Sequence, residues 1–75
     1  MIQAMLWFDD SPTTTLEGKI RRAADYFRKK YGRDPNLCVL NHKMPGALEI
    51  ETVDEIAIDT SRIVLPNHLW IGVDE

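Results

Sequence analysis

The segment Thr14–Gly32, TTLEGKIRRAADYFRKKYG, constrains this chain more than any other stretch. Leu16, Ile20, Ala23, Ala24, Phe27 and Tyr31 recur at the spacing of one face of a 3.6-residue helix, so they form a stripe that must lie on a core. Thr14 followed three residues later by Glu17 has the spacing of a capping box, in which a hydroxyl and a carboxylate satisfy early backbone N–H groups. Gly32 supplies a left-handed stop, and Pro35 follows it. Asp25 lies one turn from both Arg21 and Lys29, its expected ion-pair partners. Gly18 is the weak residue of the segment, costing about 1 kcal/mol relative to alanine.

The flanking sequence reads as strands. Residues Ile2–Phe8 alternate, with Ile2, Ala4, Leu6 and Phe8 on one face and Met5 and Trp7 on the other, only Gln3 being polar between them. Such a pattern suggests an interior strand covered on both sides. Asp9-Asp10-Ser11-Pro12 breaks it before the helix. A second apolar run, Leu37–Leu40, predicts a strand through Asn36–His42. Strand, helix and strand over this length imply two parallel strands with a crossover helix between them.

His42-Lys43-Met44-Pro45-Gly46 has turn composition. Leu48 and Ile50 alternate with Glu49 and Glu51, and Ile56 and Ile58 continue that parity, as in a half-buried strand. Thr52-Val53-Asp54 fits a continuous strand, a bulge or a turn equally well. Asp59-Thr60-Ser61 reads as a turn and Arg62–Leu65 as a short extended piece. Leu69, Ile71 and Val73 alternate in a last strand. The expectation is an α+β domain of order β-α-β-β-(β)-β, with one helix packed on one face of a small mixed sheet.

Seventy-five residues make a single domain, 1–75. A chain this short buries only about 60% of its unfolded surface, so partners often complete its core. One cysteine among 75 residues excludes an intramolecular disulfide and fits a reducing compartment. With Met1 inside an apparent strand, the chain reads as a complete small protein. There is no secretory leader pattern and no apolar run approaching about 18 residues, so a cytoplasmic location away from membranes is expected.

The net charge of −3 conceals an asymmetry. Residues 16–33 hold seven basic side chains against two acidic ones, and the remainder holds two basic against ten acidic. Arg21, Arg22, Arg28 and Lys29 gather opposite the apolar stripe. That face reads as a solvated surface with ion-pair partners, or alternatively as a contact for phosphates. The pI of about 5.3 argues against a dedicated nucleic-acid binder, whose domain is ordinarily basic as a whole.

One helix covers one face of a sheet. Pleating sets Met5 and Trp7 opposite Leu6 and Phe8, so Met5, Trp7 and Trp70 are expected on the opposite, uncovered face. That set is the expected interaction surface, because aromatic residues are enriched at interfaces. The competing reading has the tryptophans packed beneath the loop around residues 59–67. Asp9, Asp10, His42 and His68 fall at strand ends that share one sheet edge if the last strand runs antiparallel to the first. Two carboxylates and two imidazoles there have the chemistry for a divalent metal or for acid–base work. No cofactor motif is present. Cys38, inside an apolar strand, reads as core filling.

The stretches YFRKKYGRDPNLCVLNH (Tyr26–His42) and VLPNHLWIGV (Val64–Val73) resemble parts of short prokaryotic hypothetical proteins, a resemblance that implies no activity, cofactor or site. A strand ending in Asp9-Asp10 before a helix also resembles the small CRISPR-associated nucleases of ferredoxin-like fold. Three functions are thus expected, in descending order. The first is a small module that binds proteins and self-associates. The second is a nucleic-acid-binding accessory protein acting through the helix. The third is a metal-dependent hydrolase or nuclease at the Asp/His edge.

Overall fold

The computed structural model describes residues 3–74, so the expectation for Ile2 lies outside the described residues. The order is β1 (Gln3–Phe8), α1 (Leu16–Tyr31), β2 (Leu37–Asn41), β3 (Thr52–Val53), β4 (Ile56–Ser61) and β5 (His68–Val73). The strands form one mixed sheet in the order β1-β5-β2-β4-β3. This is the α+β architecture expected, with one helix on one face.

The helix stripe packs as its period requires. Ile20, Ala23, Ala24 and Phe27 are buried, and Leu16 and Tyr31 pack partly against the core. The N-terminus differs from the capping-box expectation by one residue. Thr15 is the cap, its hydroxyl accepting from the Gly18 N–H at 3.0 Å, while the Thr14 hydroxyl pairs with that of Ser11 at 2.9 Å. Glu17 therefore stands one position early for the reciprocal bond. A Cβ on Gly18 would sit 2.9 Å from the Thr14 methyl group and 3.2 Å from the Thr15 hydroxyl oxygen, so a larger residue there requires these side chains to shift. Gly32 closes the helix at φ 68°, its N–H bonded to the Arg28 carbonyl at 2.8 Å.

β1 and β2 are parallel, but β5 lies between them and is antiparallel to both. The last strand is thus central, and its register fixes both faces of the sheet. Met5, Ile71, Cys38 and Ile58 form one row across four strands, and Trp7, Leu69, Leu40 and Thr60 form the next. These rows lie under the helix: Met5 is 7% exposed, and the Trp7 ring meets that of Tyr26 with centroids 5.3 Å apart. The expected parity of β1 is therefore reversed. Met5 and Trp7 face the helix, while Leu6 and Phe8 face away from it. β1 is also an edge strand rather than an interior one.

The segment 42–61 departs further from expectation. Residues 42–49 are turns and a bend, and Leu48 is exposed rather than half-buried in a strand. Thr52-Val53 pairs with Ile56-Ala57 across a two-residue hairpin loop. Asp54 and Glu55 take φ of 50° and 68°, the conformation whose twist matches the flanking strands. Asp59-Thr60-Ser61, expected as a turn, is instead the end of β4, parallel to β2.

Gly72 is the penultimate residue of β5, opposite both Ala4 and Leu37. A Cβ there would overlap the Gln3 carbonyl oxygen and crowd the Ala4 Cα, because β1 crosses closely over this point. Gly72→Ala ought to gain from β propensity, yet the overlap dominates. It is expected to cost about 1–3 kcal/mol, as overpacking does. Urea unfolding checks this, and an unchanged midpoint would mean that β1 yields without cost.

Candidate functional site

The strand-end residues reach one edge of the sheet, as the antiparallel course of β5 requires. Phe8 stands opposite His68, and β2 ends just before His42. The pleat then separates them. Phe8 and His68 share the face away from the helix, their rings 5.0 Å apart, whereas Asp9 continues the parity of Met5 and Trp7. The Asp9 carboxylate accepts from the Ser11 N–H at 3.0 Å and faces Arg22 at 3.8 Å. His68 Nδ1 lies 2.8 Å from the Pro66 carbonyl, and buried His42 Nδ1 has no hydrogen-bond partner. Among the described residues, no three His, Cys, Asp or Glu side chains are grouped to hold a metal ion. The expected quartet of Asp9, Asp10, His42 and His68 shares an edge without forming one site.

Beside that edge is a cleft of about 330 Å³ where the β1–α1, β2–β3 and β4–β5 connections meet. Asp10, Thr14 and Lys19 give it polar walls, and Pro12, Leu16 and Met44 give it apolar ones. Asp10 and Lys19 set opposite charges on the cleft wall.

The basic helix face is largely satisfied within the molecule. Arg21 Nε donates to Asp54 at 3.0 Å, and this hydrogen bond and charge raise the pKa of its guanidinium. Arg28 donates to both Asp25 at 2.9 Å and Asp34 at 2.7 Å. Asp25 thus pairs with Arg28 rather than with Arg21 or Lys29. Lys29 lines a shallow hollow with Tyr26 and Lys30. These exposed pairs add little stability. Their consequence is local neutralisation, with Asp9, Asp25, Asp34 and Asp54 offsetting the arginines that would meet a phosphate backbone.

The face away from the helix presents a different chemistry. Leu6, Trp70, Val39 and Asp59 form one row across it, and Ala4, Gly72, Leu37 and Ala57 form another. Leu6 is 47% exposed, Phe8 54% and Trp70 40%. Exposed Ile63 and Leu65 lie in the β4–β5 connection. The connection is anchored by the buried Asn41 amide, which donates to the Val64 carbonyl at 2.6 Å. The loop therefore reaches this face near the end of β2 but leaves Trp70 open. Of the expected surface Met5, Trp7 and Trp70, only Trp70 lies here; Leu6 and Phe8 replace the other two. Their β1 parity was the available signal, but apolar residues on both faces left its direction ambiguous.

No protein-family model, curated protein or solved structure matches the chain.

Cys38 lies under the helix, fully buried, and burial pushes its thiol from 9.0 up to about 12. The folded chain thus keeps its proton where the unfolded chain loses it. Stability present at neutral pH should fall as pH rises from about 9 toward 12, by about 1.4 kcal/mol per unit. Urea midpoints for the native chain and Cys38→Ala are expected to diverge in that window, with the native chain losing more. Parallel curves would contradict this linkage. At neutral pH, iodoacetamide should label Cys38 only after unfolding.

Proposed function

We propose that this protein is a small interaction module that self-associates through the open face of its sheet. The observation carrying this reading is the apolar row Leu6–Trp70–Val39, flanked by Phe8, on the face opposite the only described helix. Isolated exposed apolar residues are ordinary, whereas a contiguous patch marks a contact surface. Tryptophan within the row and phenylalanine beside it are residue types that carry binding energy in interfaces.

A second copy fits the dimensions and charge of this face. Four strands about 4.8 Å apart, about six residues long at about 3.3 Å each, give a projected area of roughly 400 Å². Two such faces stacked together would bury on the order of 1,000 Å² once protruding side chains are counted, the threshold for a specific interface. Among the described residues, Asp59 is the only acidic side chain on the strand positions of this face, and none of these positions holds lysine or arginine. Stacking two copies therefore buries few like charges. The helix arginines, with acids already beside them, favour this reading over nucleic-acid binding.

Light scattering across a concentration series tests the proposal. The native chain should exceed monomer mass, and Phe8→Asp and Trp70→Asp should each lower that mass by removing the face contact. Both substitutions place a carboxylate on the open face, where the folded monomer can solvate it. Circular dichroism separates loss of association from loss of fold. A native monomer at millimolar concentration, or dimers undiminished by folded forms of both variants, would overturn the open face as the interface.

A further inference from the structure

The two edges of the sheet are unequally defended. The β3 edge is two residues long and ends in the charged Asp54-Glu55 turn. The β1 edge is six residues long and has no proline or charged side chain. Its pairing with β5 runs without a bulge through six consecutive positions, from Gln3 opposite Val73 to Phe8 opposite His68. Among the described residues, β1 pairs only with β5, so its other backbone edge carries a row of hydrogen-bonding groups without strand partners. Exposed edges are ordinarily protected by short strands, charge, proline or bulges, and β1 has none of these.

We propose that this edge pairs antiparallel with β1 of a second copy, joining two five-stranded sheets into one of ten strands. The proposal uses a different surface from the open face, so either can fail alone. Residues directly opposite each other in an antiparallel pair point to the same face. A two-fold axis perpendicular to the sheet preserves that condition, and centring it on Leu6 places Leu6 opposite its own copy. Ala4 then meets the second copy's Phe8, small against large, on the open face. Met5 meets the second copy's Trp7 on the helix side, a sulfur–aromatic pairing of a favourable kind.

The arrangement commits to a second copy because β1 is complementary to itself in this register and brings no like charges together. The two helices fall on the same side of the joined sheet. Arg22, near the β1 end, already faces Asp9, which moderates repulsion between the helices. The two open faces become continuous, doubling the apolar platform without altering either fold.

Amide hydrogen exchange read by NMR distinguishes edge pairing from face stacking. In the free chain, the alternate β1 amides directed away from β5 lack strand partners. They should slow roughly tenfold when nine in ten chains are paired, because exchange then proceeds through the remaining free chains. The slowing should deepen with concentration and persist in Trp70→Asp, which leaves the β1 edge intact. Leu6→Lys and Leu6→Glu should each lose it, whereas their equimolar mixture should regain it through opposite charges at the two-fold axis. Unslowed amides in a sample that is dimeric by light scattering would overturn edge pairing while leaving the open-face interface standing. A monomer throughout the series would overturn both. Slowing that the mixed Leu6 variants do not regain would overturn the Leu6-centred arrangement.

Discussion

The structure depends on a steric limit: α1 can shield only one face of the sheet. Once it settles over β5, every strand residue is assigned to core or open face by the two-residue period of the pleat. The assignment runs through the central strand, because β5 contacts both β1 and β2. Leu69, Ile71 and Val73 face the helix and draw Met5, Trp7, Cys38 and Leu40 to the same side. Trp70, standing between Leu69 and Ile71, is turned away by that choice. The open apolar face is therefore a consequence of covering the other.

Much of this arrangement was legible where the sequence contrasts polar and apolar positions. The helix stripe, its glycine stop and the parallel course of β1 and β2 followed from periodicity and connection length. The face of β1 did not, because Ala4, Leu6 and Phe8 are as apolar as Met5 and Trp7. The one polar side chain of β1, Gln3, shares the parity of Met5 and Trp7, so the strand's single polar sign marks the buried set as the exposed one. Only pairing with β5, over 60 residues away in sequence, resolves it. The same locality limited the reading around residues 48–61. Leu48 and Ile50 imitate a strand, while the hairpin loop uses Asp54 and Glu55 at positive φ without a glycine to announce it.

The charge distribution was legible in composition but not in its pairing. The basic helix stood out against an acidic remainder, and the fold brings selected acids back to it. Asp54 arrives on the hairpin, Asp34 just beyond the helix and Asp9 at the end of β1. The tertiary structure consequently turns an apparent basic stripe into several local ion pairs. At the strand-end edge the opposite occurred. Asp9, His42 and His68 were expected together from topology, and topology delivered them, but the pleat and local hydrogen bonds directed them apart. Sharing an edge is weaker than sharing a site.

The two proposed contacts follow from two distinct deficits of the same small domain. The open face leaves apolar area in water, and burying such area is favourable by about 25 cal/mol per Å². The β1 edge instead leaves directional backbone groups beside an apolar strand, and a second strand satisfies them with little demand on side-chain shape. Their symmetry axes also differ. Edge pairing requires an axis perpendicular to the sheet, whereas stacking two open faces requires one lying in the plane between them. Perpendicular axes that meet generate a closed assembly of four copies, and each contact can form without consuming the other. Aromatic residues on the open face and an undefended β1 edge are thus compatible features of one assembly surface, because the first operates through sheet faces and the second through strand backbones.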